Sequence, residues 1–248
     1  MNDNFSELRD PQAVIQITLN GQLMLTMLVE QLLKIEGCQL LMMNTDGGEV
    51  RIPRNKEDEF DDVCKKWEEL TNLELEYAEY KELHIRDCNN YIGIFDNGSL
   101  KKKGAYEYDR EPHKNHSMMI VPKAVEAFYK DGVDIESFIR NHDDIFDYFK
   151  SAVKKNNSHE FVILDEDGKV IEKLGKVTRY FISNNGIYLA KIMPPLSGKN
   201  EMRREYLEVD KTCIVCNNLT DIDLESLKQM IDYDYYIDEA KKLIINTL

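Results

Sequence analysis

One carboxylate stands out by its position. Asp46 lies in "LLMMNTDGGEVRI" (residues 40–52), where an apolar strand runs into a polar turn and a second strand leaves it, so Asp46 is expected at the tip of a β-hairpin. Asn-Gly or Gly-Gly pairs make such turns unaided, and the bend does not require an aspartate. A carboxylate fixed at a rigid tip suits a divalent cation. Mg²⁺ takes oxygen donors and is usually held by one or two carboxylates together with substrate phosphates. Asp also tolerates turn geometry for its own sake, and turns of this composition are common, so this loop by itself reads first as a turn without a ligand.

Two further groups of residues could do chemistry. Lys101, Lys102 and Lys103 form a basic triplet on an expected strand, which reads either as a solvated surface or as a contact for phosphates. Cys213 and Cys216 form a C-x-x-C, but no second pair follows and no histidine lies near in sequence to complete a zinc site. They read as buried strand cysteines. His84, His113, His116, His142 and His159 form no constellation, and "EDEFDD" (residues 57–62) reads as a charged helix face.

Composition narrows the class. The 248 residues are 42% hydrophobic, enough for a sizeable core in one large domain or two modest ones. Lys and Arg number 32 against 46 Asp and Glu, giving a net charge of -14. Non-specific DNA binding rests on neutralising phosphates, so such a chain would be a poor free-standing DNA binder unless its basic residues gather on one face. The five scattered cysteines suit a reducing cytoplasm. The opening "MNDNFSELRD" is acidic and unlike a signal peptide. The apolar run Val14 to Val29 is shorter than the ~20 residues of a spanning helix and is interrupted by polar side chains.

That run is expected to be a core helix. Asp10 is a good N-cap, Pro11 suits a first turn, and Gly37 would end the helix. Thr18, Gln22, Thr26, Glu30 and Lys34 would form one narrow polar stripe on an otherwise apolar cylinder covered on several sides. In residues 54–72, Phe60, Val63, Cys64, Trp67 and Leu70 recur at helical spacing on a charged segment, predicting a surface helix docked by one face. Residues 73–87 alternate as a strand, and "NYIGIFDNGSLKKKGAYEY" (residues 90–108) reads as a hairpin. Beyond a boundary near Glu111 to Ser117 the pattern turns helical through residues 121–157. Short strands joined by Asp-Gly and Asn-Gly turns follow, then "CIVCNN" and two short helices. The class is α+β.

The order of a long helix, a strand, "NTD", a strand and then "NYIGIFDNGSLKKKG" resembles the C-terminal part of a family B DNA polymerase of the phage and virus type. In that family a palm helix leads to the motif C hairpin, usually D-T-D-S, followed by basic strands of KKxY and LKxKG type and then a thumb. "LGKVTRYFISNNGIYLAKIMPP" and "DYDYYIDEAKKLI" are similar to thumb segments, so the resemblance spans nearly the whole chain. It implies a partial palm over residues 1–112 and a mainly helical thumb over 113–248.

By position in the motif, Asp46 would be the catalytic aspartate that binds the metals. Thr45 and Gly47 would form the turn beside the incoming dNTP. Asn44 stands where the family has its first aspartate, and Gly47 where it has serine. Tyr91 matches the tyrosine of the KKxY strand, with Cys88, Asn89 and Asn90 where lysines are usual. Tyr91, Lys101, Lys102, Lys103 and, in the thumb, Arg179 would contact primer-template DNA, with Lys176 and Lys191 as weaker candidates.

The family's motif A, fingers and exonuclease precede these motifs. The resemblance therefore implies a C-terminal subunit or fragment of a split enzyme, completed by an N-terminal polymerase chain, with two Mg²⁺ shared between the two chains and no membrane. Two-metal displacement needs carboxylates from both motifs, holding ions about 3.5–4 Å apart. The alternative is a non-catalytic nucleic-acid-binding or scaffolding protein derived from a polymerase.

Overall fold

The computed structural model describes residues 10–108, 117–154, 156–196, 201–217 and 223–244. His113, His116 and most of the expected boundary at 111–117 lie outside the described residues. The chain divides into two compact units, residues 1–104 and 105–248, both mixed in helix and strand.

Unit 1 begins with helix α1 (Pro11–Leu32), whose N-cap Asp10 accepts a hydrogen bond from the Ala13 amide at 3.0 Å. The helix ends at Leu32, five residues before Gly37, and a turn fills the gap. Gly37 has φ +83°, and a Cβ there would come within 2.7 Å of the Pro53 ring, so only glycine fits. Strands β1 (Gln39–Met43) and β2 (Gly48–Arg51) form the expected hairpin, and helix α2 (Glu57–Thr71) follows. Leu28, Leu32 and Ile35 pack against Cys64 and Trp67, with Val50 of the hairpin at the edge of this core. The Trp67 indole donates to the Met24 carbonyl at 2.8 Å, so the buried N–H is satisfied and α2 is pinned to α1.

The core reaches only the last turns of α1. Ile15, Ile17, Leu19 and Leu23 are 65%, 64%, 51% and 59% exposed. The expectation of a core helix covered on several sides is corrected on this point: among the described residues of unit 1, the core cluster takes up only the C-terminal part of the 22-residue helix. The expected polar stripe is also partly masked, because the Thr18 and Thr26 hydroxyls donate to the Val14 and Gln22 carbonyls one turn back. By length and composition α1 is sufficient to cross a membrane, contrary to the reading of its apolar run as too short.

Residues 73–80 run as an irregular strap instead of a strand, and pairing begins at β3 (Glu82–Asp87). β3, β4 (Asn90–Ile94) and β5 (Leu100–Lys103) form an antiparallel sheet. The strap is tied at both ends. The Leu75 amide donates to Glu68 of α2 at 2.7 Å, and Tyr80 lies on Gly93, where a Cβ would approach its ring to 2.6 Å.

Unit 2 places helices α3 (Ile120–Asp131) and α4 (Ile135–Arg140) before strand β6 (Lys150–Val153). It continues through β7 (Glu160–Leu164), β8 (Val170–Leu174), β9 (Val177–Ser183), β10 (Tyr188–Met193), β11 (Arg203–Tyr206) and β12 (Thr212–Val215). Helices α5 (Leu224–Lys228) and α6 (Tyr233–Leu243) close it. The strands form two antiparallel sheets, ordered β11-β10-β7-β8 and β12-β9-β6. A mainly helical second half is therefore corrected to a mixed one. The helical pattern expected through residue 157 stops at Tyr148, because "KSAV" pairs as an outer strand with β9.

The centre of unit 2 is built on tyrosines. The Tyr236 hydroxyl accepts from the Ile182 amide at 2.9 Å and donates to the Tyr148 carbonyl at 2.8 Å, joining α6 to β9. Lys150 reaches Glu208 at 2.6 Å and the Tyr235 hydroxyl at 2.9 Å, a mostly buried ion pair to which the Tyr180 hydroxyl adds a hydrogen bond on Glu208 at 2.8 Å.

Candidate functional site

The tip of the β1–β2 hairpin is built by Asn44, which stands where the resembled family has an acid. Its side-chain oxygen accepts from the Gly47 amide at 2.8 Å and the Asp46 amide at 3.2 Å, and its own amide donates to the Gly47 carbonyl at 3.0 Å. This is an Asx turn. Because Asn44 makes the bend, the Asp46 side chain is not used by it. Asp46 and Thr45 are exposed, Gly47 is half-buried, and the Asp46 carboxylate makes no hydrogen bond or ion pair among the described residues. The turn signature N-x-D-G could have revealed the role of Asn44 from sequence.

Lys101 of the basic strand acts on this hairpin by its charge. Glu49, three residues past Asp46, is half-buried; burial pushes its carboxyl up, and the nearby Lys101 ammonium opposes that rise. Lys101 is itself raised, first by the Tyr80 hydroxyl, and its Nζ lies 5.7 Å from the Tyr80 ring centroid. The Tyr80 hydroxyl is enclosed, with the Lys101 ammonium as its neighbour and no well-formed hydrogen bond among the described residues. Glu49 and Tyr80 were not foreseen, because their influence on Lys101 depends on how separate elements pack.

The lysine triplet does not act as one patch. Lys101 pairs with Gly93 and Lys103 with Tyr91, while Lys102 pairs with Ile92, so alternation puts Lys101 and Lys103 on one face and Lys102 on the other. Lys103 is exposed, and Lys101 and Lys102 are partly buried. Tyr91 is only 5% exposed, which makes it a core residue of β4 with no surface to offer DNA directly. Arg179 is exposed on β9 of unit 2, its amide held by Asn217 at 2.9 Å. Lys191 is drawn to Glu205 at 3.5 Å, and Lys176 is exposed.

Among the described residues no cluster of three or more His, Cys, Asp or Glu could hold a metal by itself. Asp46 fits Mg²⁺ by its chemistry, as a hard oxygen donor with no internal partner, but as one ligand of a shared set. Cys213 and Cys216 are buried. Burial raises their thiols to about 12 and about 11, which opposes the thiolate that metal or redox chemistry needs. No protein-family model matches the chain, and no curated protein matches it.

Proposed function

We propose that this chain is the C-terminal subunit or a fragment of a split family B DNA-directed DNA polymerase, acting in the cytoplasm, of the host if the chain is phage-encoded. The observation that carries the reading is the Asp46 carboxylate, displayed at a tip whose hydrogen bonds another side chain supplies. The long uncovered stretch of α1 supports a partner chain: its apolar side chains are exposed, and no charged residue lies between Asp10 and Glu30.

In the assembled enzyme, Asp46 and an acid of the N-terminal polymerase chain would hold two Mg²⁺. Bound there, the ions would activate the primer 3′-hydroxyl and neutralise charge on the dNTP triphosphate. Asp46 would hold the metal ions beside the reacting phosphate through its carboxylate oxygens, and the small turn residues Thr45 and Gly47 would let the triphosphate approach. Lys103 and Arg179 would contact the primer-template backbone, which positions duplex without reading sequence. Tyr91 would support its strand from within.

The second reading, a non-catalytic nucleic-acid-binding or scaffolding protein, is favoured by Asn44 at the family's first acid position. Metal dependence separates the two. The complex captured through this chain from its native source should extend a primer only with Mg²⁺. A scaffold would bind its partner and DNA equally with and without Mg²⁺ and extend nothing.

A further inference from the structure

A cleft of about 530 Å³ in unit 2 is lined by both of its sheets. Ile163 and Leu174 of β7 and β8 line it from one sheet and Ile214 and Val215 of β12 from the other, with Ile187 beside them just before β10. The volume lies within the range that holds small ligands. One wall is fixed by a pair of hydrogen bonds: the Ile187 amide donates to the Cys213 carbonyl at 3.0 Å, and the Cys213 amide donates to the Ile187 carbonyl at 2.8 Å. Gly186 permits this approach, since a Cβ there would come within 2.4 Å of the Cys213 carbonyl oxygen.

Among the described residues, Glu172 is the one charged group that lines the cleft. It pairs with Ile163, so alternation puts its carboxylate on the face where Ile163 and Leu174 are each 8% exposed. An acid is out of pattern there. The lysines nearby are committed elsewhere, Lys173 to Glu160 at 2.9 Å and Lys154 to the Leu174 carbonyl at 3.0 Å. A neutral apolar occupant would strip water from Glu172 and return nothing, and an anion would also meet its charge. A protonated amine on an apolar body suits both the walls and the acid.

We propose that this cleft binds a small apolar amine, its hydrocarbon part against the isoleucines and its ammonium on Glu172. The cleft lies within unit 2, so this site and the polymerase reading stand or fall separately.

The probe is phenethylamine, titrated into the full chain labelled with ¹³C at the isoleucine δ-methyls. Ile163, Ile187 and Ile214 should shift together and saturate with a Kd of about 1 mM or tighter. Phenethyl alcohol, the same body without the charge, should bind about tenfold more weakly, and hydrocinnamate should not bind. Glu172→Gln should weaken the amine about tenfold, to the level of the alcohol, and leave the alcohol unchanged. Glu166→Gln, which removes an exposed acid from the turn before β8, should leave both unchanged. Ile187→Ala should weaken amine and alcohol alike. An amine titration that does not saturate, or that shifts isoleucines of both units equally, would overturn the proposal. So would binding of hydrocinnamate as tight as that of the amine, or an amine affinity that Glu172→Gln leaves unchanged. Equal losses from Glu166→Gln and Glu172→Gln would overturn it too, because the amine would then be answering the chain's net charge of -14.

Discussion

In unit 2 the largest side chains turn inward and share hydrogen bonds. Tyr148 and Tyr236 are each about 1% exposed or less, and the Tyr236 hydroxyl joins a strand amide to a carbonyl near β6. In unit 1, the longest helix has all its buried residues in its last turns, and the tip of the β1–β2 hairpin displays an aspartate. Both units draw on the same pool of apolar and acidic residues. The difference shows that composition sets how much core a chain can build, while the order of elements sets whether each face finds a cover. Unit 2 gathers its largest buried side chains at its centre, and unit 1 leaves an apolar face of α1 and the Asp46 carboxylate exposed.

The comparison can be broken most forcefully at the two cores. Trp67 is the chain's only tryptophan, so its fluorescence reports unit 1. Trp67→Ala should cost about 3–5 kcal/mol in urea unfolding followed by circular dichroism, through lost packing and an abandoned Met24 carbonyl contact. Tyr236→Phe should cost less, about 1–3 kcal/mol in the near-ultraviolet tyrosine signal, because the Ile182 amide is left buried without an acceptor. A neutral result at either position would mean that the core assigned to that unit does not hold it together.

Asp147 sharpens the contrast by pH. Burial pushes its carboxyl up, but His142 and Lys123, the latter 2.6 Å away, outweigh that and leave it below the usual carboxylate range. A depressed folded-state value adds stability above the unfolded value near 4 and loses it as pH falls through the folded one. Asp147→Asn should therefore cost about 3 kcal/mol at pH 7, and its deficit should shrink below about pH 4. A deficit independent of pH would exclude the ion pair as its source.

Smaller effects belong to unit 1. Asn44→Ala should cost about 1 kcal/mol and loosen hairpin amides 44–48, while Asn44→Asp, which keeps an acceptor oxygen, should not. Replacing Ile15, Leu19 and Leu23 together with Gln should change the isolated chain's stability by no more than about 0.5 kcal/mol, since these residues are already in water. The same variant should fail to capture its partner. Strong destabilisation of the chain alone would show that the α1 face is not open.

Much of this architecture was legible from local rules. The Asp10 cap, the 40–52 hairpin, the one-sided face of α2 and the β4–β5 hairpin follow from periodicity and turn chemistry. The failures came where tertiary pairing overrode pattern. "LELEYAEY" alternates like a strand, yet it runs as a strap anchored by Glu68 and Gly93, and "KSAV" leaves a helical pattern to pair with β9. At the site, Asp46 and the lysines could be named from sequence. The inward turn of Tyr91 and the meeting of Lys101 with the Tyr80 ring depend on packing that local pattern does not show.

The most direct measurement is primer extension with Mg²⁺ by the captured complex, comparing wild type with Asp46→Asn. The polymerase reading predicts synthesis by the wild-type complex and a loss of at least about 100-fold in the variant, the scale on which removing one transition-state charge stabiliser acts. A variant complex as active as wild type, or a wild-type complex that extends nothing, would contradict it.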